Sequence, residues 1–212
     1  MICIVCKNQK ASVFTNIKQK RYWNCSYCEA IFLDKEFYLN SNDEHKHYLT
    51  HNNDVNDERY KKFLSNLMFP LIDRIKLKSN GLDYGCGPGP ALSLMLREKG
   101  YQMSNFDPFF HPKKSNLLKK YDFISCSETV EHFHNPFDEF TRFNELLNDG
   151  GIIGIMTNFH SEEKIFENWY YIKDPTHVVF YNKRTFLIIA KIFNWDCEFL
   201  GNNLVFFKKI FY

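Results

Sequence analysis

At 212 residues, 44% of them hydrophobic, the chain is long enough for one full domain and an appendage around a sizeable core. A formal charge of +2 excludes the strongly basic class whose affinity comes chiefly from neutralising phosphates, and leaves nucleic acid neither implied nor excluded. The first residues lack a signal-peptide run and no apolar segment approaches the roughly 18 residues of a membrane span, so the expectation is a cytoplasmic protein without membrane association.

The first feature along the chain is a pair of C-x2-C knuckles, Cys3 with Cys6 and Cys25 with Cys28, separated by 18 residues. Each knuckle presents two thiolates, and two knuckles close a tetrahedral zinc site with Zn–S distances of about 2.3 Å. Between them "ASVFTNIKQKRYWNC" alternates as hairpin strands do, and "AIFLD" follows, which predicts a zinc ribbon over residues 1–38. Redox pairs would need a βαβ context that is absent here, and the odd total of seven cysteines argues against a disulfide framework. Four thiolates leave no open position, so the Zn2+ expected here is structural. Lys7, Lys10, Lys18, Lys20 and Arg21 make the ribbon locally basic; a solvated face explains them, and an RNA-docking arm is the alternative.

Residues 39–78 read as a linker followed by a helix. The polar stretch from about Leu39 to Asp57 has no period and is expected to be loop, with His45, His47 and His51 solvated rather than metal-bound and His51, Asn52 and Asn53 placed to fold over a ligand. From Glu58, apolar residues recur at helical spacing, with a kink or break expected at Pro70.

"LDYGCGPGPALSLMLREKG", Leu82 to Gly100, predicts a strand, a glycine-rich turn and a helix closed by Gly100. A second strand, "YQMSNF", ends at Asp107, which lies 22 positions after Gly85 and suits a carboxylate facing ribose hydroxyls. No Lys-Ser/Thr pair follows the loop, which excludes a P-loop.

"LDYGCGPGPAL" resembles motif I of class I S-adenosylmethionine-dependent methyltransferases. "YDFISCSETVEHFHNPFDEFTRFNELLNDGGIIGIMTN" is similar to their fourth strand, its following loop and helix, a glycine turn and the fifth strand. The resemblance implies an α/β fold, a doubly wound Rossmann-like sheet of the seven-stranded type, over residues 79–212. It implies S-adenosyl-L-methionine as cofactor, held by Asp83, Gly85, Cys86, Gly87, Gly89 and Ser127, with Asp107 on the ribose. The carboxyl-terminal "DCEFLGNNLVFFKKI" reads as two strands about Gly201 and Asn202, matching the family's antiparallel last strand. One departure stands out: only 13 residues separate Asp107 from Tyr121, too few for the helix, third strand and second helix whose loop carries the family's adenine contact. Either that strand is lost, or "SNLL" is a token of it, with Phe109 or Phe110 taking the adenine or serving as core.

"SETVEHFHNP" gathers Glu128, Glu131, His132 and His134 just beyond the fourth strand. The cluster reads as a structural turn feeding the helix at Asn135-Pro136, or as a site where His132 or His134 acts as general base. Its E-x-x-E-H pattern looks like the motif of ubiquinone-pathway O-methyltransferases and small-RNA 2′-O-methyltransferases. That likeness implies a second divalent cation at Glu128, Glu131 and His132, completed by His177. Residues from His160 to His177 fall where the family places its substrate cover, with Trp169, Tyr170 and Tyr171 available to stack on an acceptor. The reading is methyl transfer to an oxygen or nitrogen of a small-molecule acceptor, with RNA methylation and a non-catalytic adaptor as alternatives. Oligomeric state has no signal.

Overall fold

The computed structural model describes residues 1–50, 53–161 and 165–211. An amino-terminal hairpin of β1 (Ala11–Ile17) and β2 (Lys20–Cys25) turns through Lys18 and Gln19, both at positive φ as a tight hairpin turn requires, and β3 (Ile31–Leu33) pairs with β2. Part of the expected loop is helical: α1 (Ser41–Tyr48) starts where the Asn40 side chain accepts from the Asn42 and Asp43 N–H groups. Asp43 and Glu44 in its first turn and His45, Lys46 and His47 in its last complement the helix dipole, so caps and charge rather than an apolar stripe make this helix. α2 (Glu58–Ile72) is capped by Asp57 and buries Leu64, Leu67, Met68 and Leu71. It does not break at Pro70, which sits in the final turn where losing one N–H costs a single bond.

Next come β4 (Asn80–Tyr84), α3 (Ala91–Glu98), β5 (Gln102–Phe106), β6 (Tyr121–Ser127), α4 (Pro136–Leu146), β7 (Leu147–Met156), β8 (Val179–Phe180), α5 (Lys183–Phe193), β9 (Trp195–Leu200) and β10 (Leu204–Lys209). The main sheet has the order β5-β4-β6-β7-β10-β9, parallel except for antiparallel β10. Among the described residues it has six strands, so of the two alternatives for the short segment after Asp107 the third strand is the one that is lost. The third strand is absent because Asp107 to Tyr121 holds only a bridge from Asp107 to His111 and a 3-10 turn at Lys114–Leu118, leaving β5 as the edge. The glycine turn expected between helix and strand, Asn148 to Gly151, is a bulge within β7, since Tyr121 pairs with Leu147 and Phe123 already with Ile152.

One face of the sheet packs on α2 and α3 through Leu64, Leu67, Leu92 and Phe123; the other packs on α4 and α5 through Phe140, Phe143, Phe186 and Phe207. The second core also contains Cys3, Cys25 and Cys28. The hairpin joins it through β8, which pairs with β3 and completes the order β1-β2-β3-β8.

Candidate active site

The carboxyl ends of β4, β5 and β6 open into a cavity of about 1070 Å³, at the edge of an α/β sheet where ligands bind. On one wall lies the glycine loop. Gly85, at φ +72°, donates its N–H to the Phe106 carbonyl at 2.8 Å, and a Cβ there would stand 2.1 Å from Thr129. At Gly89 a Cβ would stand 1.8 Å from the Asn53 carbonyl oxygen, so the loop is clasped between Thr129 and Asn53. His51 and Asn52 lie outside the described residues.

Asp107 is buried on this wall. Its Oδ1 accepts the N–H groups of Phe109 (2.9 Å) and Phe110 (3.0 Å), and its Oδ2 accepts that of Gly87 (3.0 Å). Gly85, Cys86, Gly87, Asp107 and Ser127 line the cavity, whereas Asp83 and Gly89 stand behind it. Asp83 instead ties three elements together, accepting from Ser125 (2.9 Å) and Ser93 (3.3 Å), and burial pushes its carboxyl up to about 6. Ser127 Oγ is buried with no hydrogen-bond partner among the described residues. An orphaned hydroxyl beside a glycine cradle fits a polar ligand that completes it.

The opposite wall carries the post-β6 cluster. Glu128 holds φ +47°, uncommon outside glycine, with its N–H donated to the Met156 carbonyl at 2.7 Å. Burial, and then the charge of Glu131, push its carboxyl up to about 9. Glu131 is fully buried and is raised by burial; it accepts from the Thr157 hydroxyl at 3.0 Å and from the Tyr171 hydroxyl, which also lies 3.3 Å from Glu128. His132 Nδ1 meets the Thr176 carbonyl at 3.2 Å and His177 Nδ1 the Tyr171 carbonyl at 2.7 Å. A carbonyl only accepts, so both imidazoles carry a proton on Nδ1, and in the neutral ring the lone pair is on Nε2. The ligating atoms of Glu131, His132 and His177 lie within 4.8 Å of one another, a grouping that could hold a cation. Sequence reading assembled these residues from a likeness, but Tyr171 as the hydroxyl shared by both carboxylates carried no local signal. His134 stands apart, 3.6 Å from Glu44 Oε1 and against the Tyr38 ring. His45 stacks on Phe109 and His47 lies 3.2 Å from Asp174, so the α1 histidines do not converge. Tyr170 and Tyr171 line the cavity, and Trp169 is buried behind them.

Away from the cavity the four knuckle sulfurs converge, with Cys3 and Cys28 at 3.6 Å, Cys6 and Cys25 at 3.8 Å, and all four within 4.8 Å of one another. The edge of a ZnS4 tetrahedron is about 3.8 Å, so the set fits zinc. Thiols this close cannot ionise together: hydrogen bonds with Cys28 and Cys3 lower Cys6, while sharing with Cys3 raises Cys28.

A family model described as a methyltransferase domain matches residues 53–198, more than half of the chain. The chain belongs to this methyltransferase family. It is a class I S-adenosylmethionine-dependent methyltransferase, and the six-stranded sheet is that fold without its third strand. No curated protein sequence matches it. Among solved structures, the methyltransferase is similar in fold to a SAM-dependent methyltransferase from Archaeoglobus fulgidus, with TM-score 0.55, 17% identity, and 70% of this chain and 94% of that one covered. A SAM-dependent methyltransferase from Methanosarcina mazei gives TM-score 0.53 at 14% identity over 68% of this chain and 99% of that one. Streptomyces venezuelae DesVI gives 0.52 at 13%, covering 81% and 99%.

Proposed function

We propose that this methyltransferase moves a methyl group to an oxygen or nitrogen of a small-molecule acceptor. We propose also that its catalytic part, residues 79–212, is buttressed by a structural zinc hairpin over residues 1–38 through a connecting segment over 39–78. The observation that carries the reading is a single cavity with the glycine loop and Asp107 on one wall and Glu128, His132, Tyr171 and His177 on the other. S-adenosylmethionine supplies an electrophilic methyl group. Methyl transfer is an in-line displacement, so alignment in a dry site supplies most of the rate. Gly85, Cys86, Gly87 and Ser127 hold and orient the cofactor, and Asp107 accepts from the ribose hydroxyls. His132, with its lone pair on Nε2, takes the acceptor's proton, and Tyr171 with Glu131 fixes the loop that positions it.

The compactness of Glu131, His132 and His177 favours a second reading in which they, with Glu128 beside them, hold a divalent cation that orients an acceptor hydroxyl and lowers its pKa. Two of the five hairpin cations are already engaged, Lys7 with Asp138 and Arg21 with Asp34 and Glu36, which favours a small acceptor over RNA.

The test is transfer of tritiated methyl from S-adenosylmethionine into lysate fractions, with Asp107→Ala as blank. Label in the small-molecule fraction is expected. Label in ribonuclease-sensitive material would replace the acceptor with RNA, and no label above the blank would favour an adaptor.

A further inference from the structure

The cavity is lined for one sign of charge. Among the described residues it presents the carboxyl groups of Glu44, Asp107, Glu128, Glu139 and Asp174, one guanidinium, that of Arg142, and no lysine. The guanidinium is already engaged, since Arg142 donates to Glu139 Oε2 at 2.6 Å and to the Tyr84 hydroxyl at 2.9 Å. Asp107 faces the ribose, and the remaining three carboxyl groups gather about His132. Glu128 precedes it on the same loop. Glu44, only 8% exposed, accepts the Tyr48 hydroxyl at 2.9 Å, and the Tyr48 ring meets that of His132 edge-on at 5.4 Å. Asp174 lies 3.9 Å from Nε2 of His177, whose ring is 4.7 Å from that of His132. The basic groups beside them are imidazoles: His134 Nε2 stands 3.6 Å from Glu44, and His47 Nε2 stands 3.2 Å from Asp174. Carboxyl groups drawn out of water without a fixed positive partner are costly to keep ionised. An acceptor that brings a positive charge removes that cost, whereas a phosphate or carboxylate adds to it. Tyr48 and the exposed Tyr170 line the same space with aromatic rings, whose faces attract a cation.

We infer that the methyl acceptor is a small amine that enters as its ammonium ion, drawn to His132 by Glu44, Glu128 and Asp174. The inference rests on the methyl-transfer reading above with His132 as base, and narrows its acceptor from oxygen or nitrogen to nitrogen. The ammonium proton passes to His132 Nε2. The freed nitrogen lone pair forms the bond to the methyl carbon as the methyl–sulfur bond breaks, and the electron pair of that bond stays on sulfur. The N-methylated product is again a cation, S-adenosylhomocysteine is a neutral thioether, and His132 returns its proton to water.

The charge and the bonding of the product test this. Tritiated methyl is transferred by the full chain from S-adenosylmethionine into the small-molecule fraction of a lysate, and the cofactor is separated from the products. Electrophoresis at neutral pH reads product charge, and hot hydriodic acid strips methyl from oxygen while leaving it on nitrogen. The label is expected to move to the cathode and to survive the acid. Label on a neutral or anionic product, label released by the acid, or label in RNA overturns the amine. S-adenosylhomocysteine bound in calorimetry with no labelled small product overturns the amine alone; no binding overturns the methyltransferase reading with it. Glu44→Gln is expected to lower the labelling rate about tenfold at limiting acceptor fraction, the range of one interaction with a charged group, and to match the wild type at saturating fraction and in S-adenosylhomocysteine affinity. Equal rates at limiting fraction overturn the role given to these carboxyl groups. If Glu44→Gln fails to fold, the wild-type product still decides.

Discussion

The four cysteines and the Glu131, His132 and His177 group each gather their ligating atoms within 4.8 Å of one another, yet the roles proposed for them are opposite. The sulfurs come from two local knuckles, three of the four cysteines are fully buried, and four thiolates fill a tetrahedral shell. The other group sets two imidazoles, His132 and His177, on a cavity wall with the buried Glu131 behind them, and so leaves positions for something else. The number of protein ligands, more than their closeness, separates a fastener from a reaction site.

The harshest way to break that comparison is Cys25→Ser. A structural zinc carries on the order of 10 kcal/mol of binding free energy that is also folding free energy, so the variant is expected to lose bound zinc and its cooperative melt together. Metal analysis and thermal unfolding read it, and a variant melting like the wild type would reduce the cysteines to ordinary core thiols. His132→Ala sharpens the other half. Turnover is expected to fall by about 10² to 10⁴, with the melting temperature and S-adenosylhomocysteine affinity kept. An equal loss of affinity would move His132 to the cofactor wall.

The mildest effect belongs to Asp83, which stands behind both walls. Its carboxyl goes from an ordinary 3.8 to about 6 on folding, because burial penalises the charge. The folded chain therefore binds more protons than the unfolded chain between those values, and stability falls as pH rises from about 4 to 6, then levels. The change amounts to about 3 kcal/mol at 1.36 kcal/mol per unit. Asp83→Asn is expected to remove that slope in urea titrations at pH 4, 5, 6 and 7; an unaltered slope would assign it to other groups.

Short-range patterns were the legible part. The knuckles, the glycine loop and the strand ending at Asp107 each occupy a few consecutive residues, and a residue count alone signalled that the third strand had no room. α1 was illegible because it is polar and packs through rings and hydrogen bonds rather than an apolar stripe. Its one local signal, Asn40 followed by two acidic and then three basic residues, was a capping signal lost in a stretch that resembles linker. Tyr171 was illegible for a different reason: its partners Glu128, Glu131 and Thr157 lie far away in the chain, and only the folded sheet brings them to one hydroxyl.

The pairing of β3 with β8 bears on how this chain can be edited. Val179 and Phe180 follow His177 by two and three residues and are fully buried against Ile31 and Phe32. Removing the cysteine hairpin would therefore strip the support from the loop that carries His177 and expose a bare apolar strand end. The hairpin is not a detachable module, and a shortened enzyme made for crystallisation or fusion should keep the whole of it.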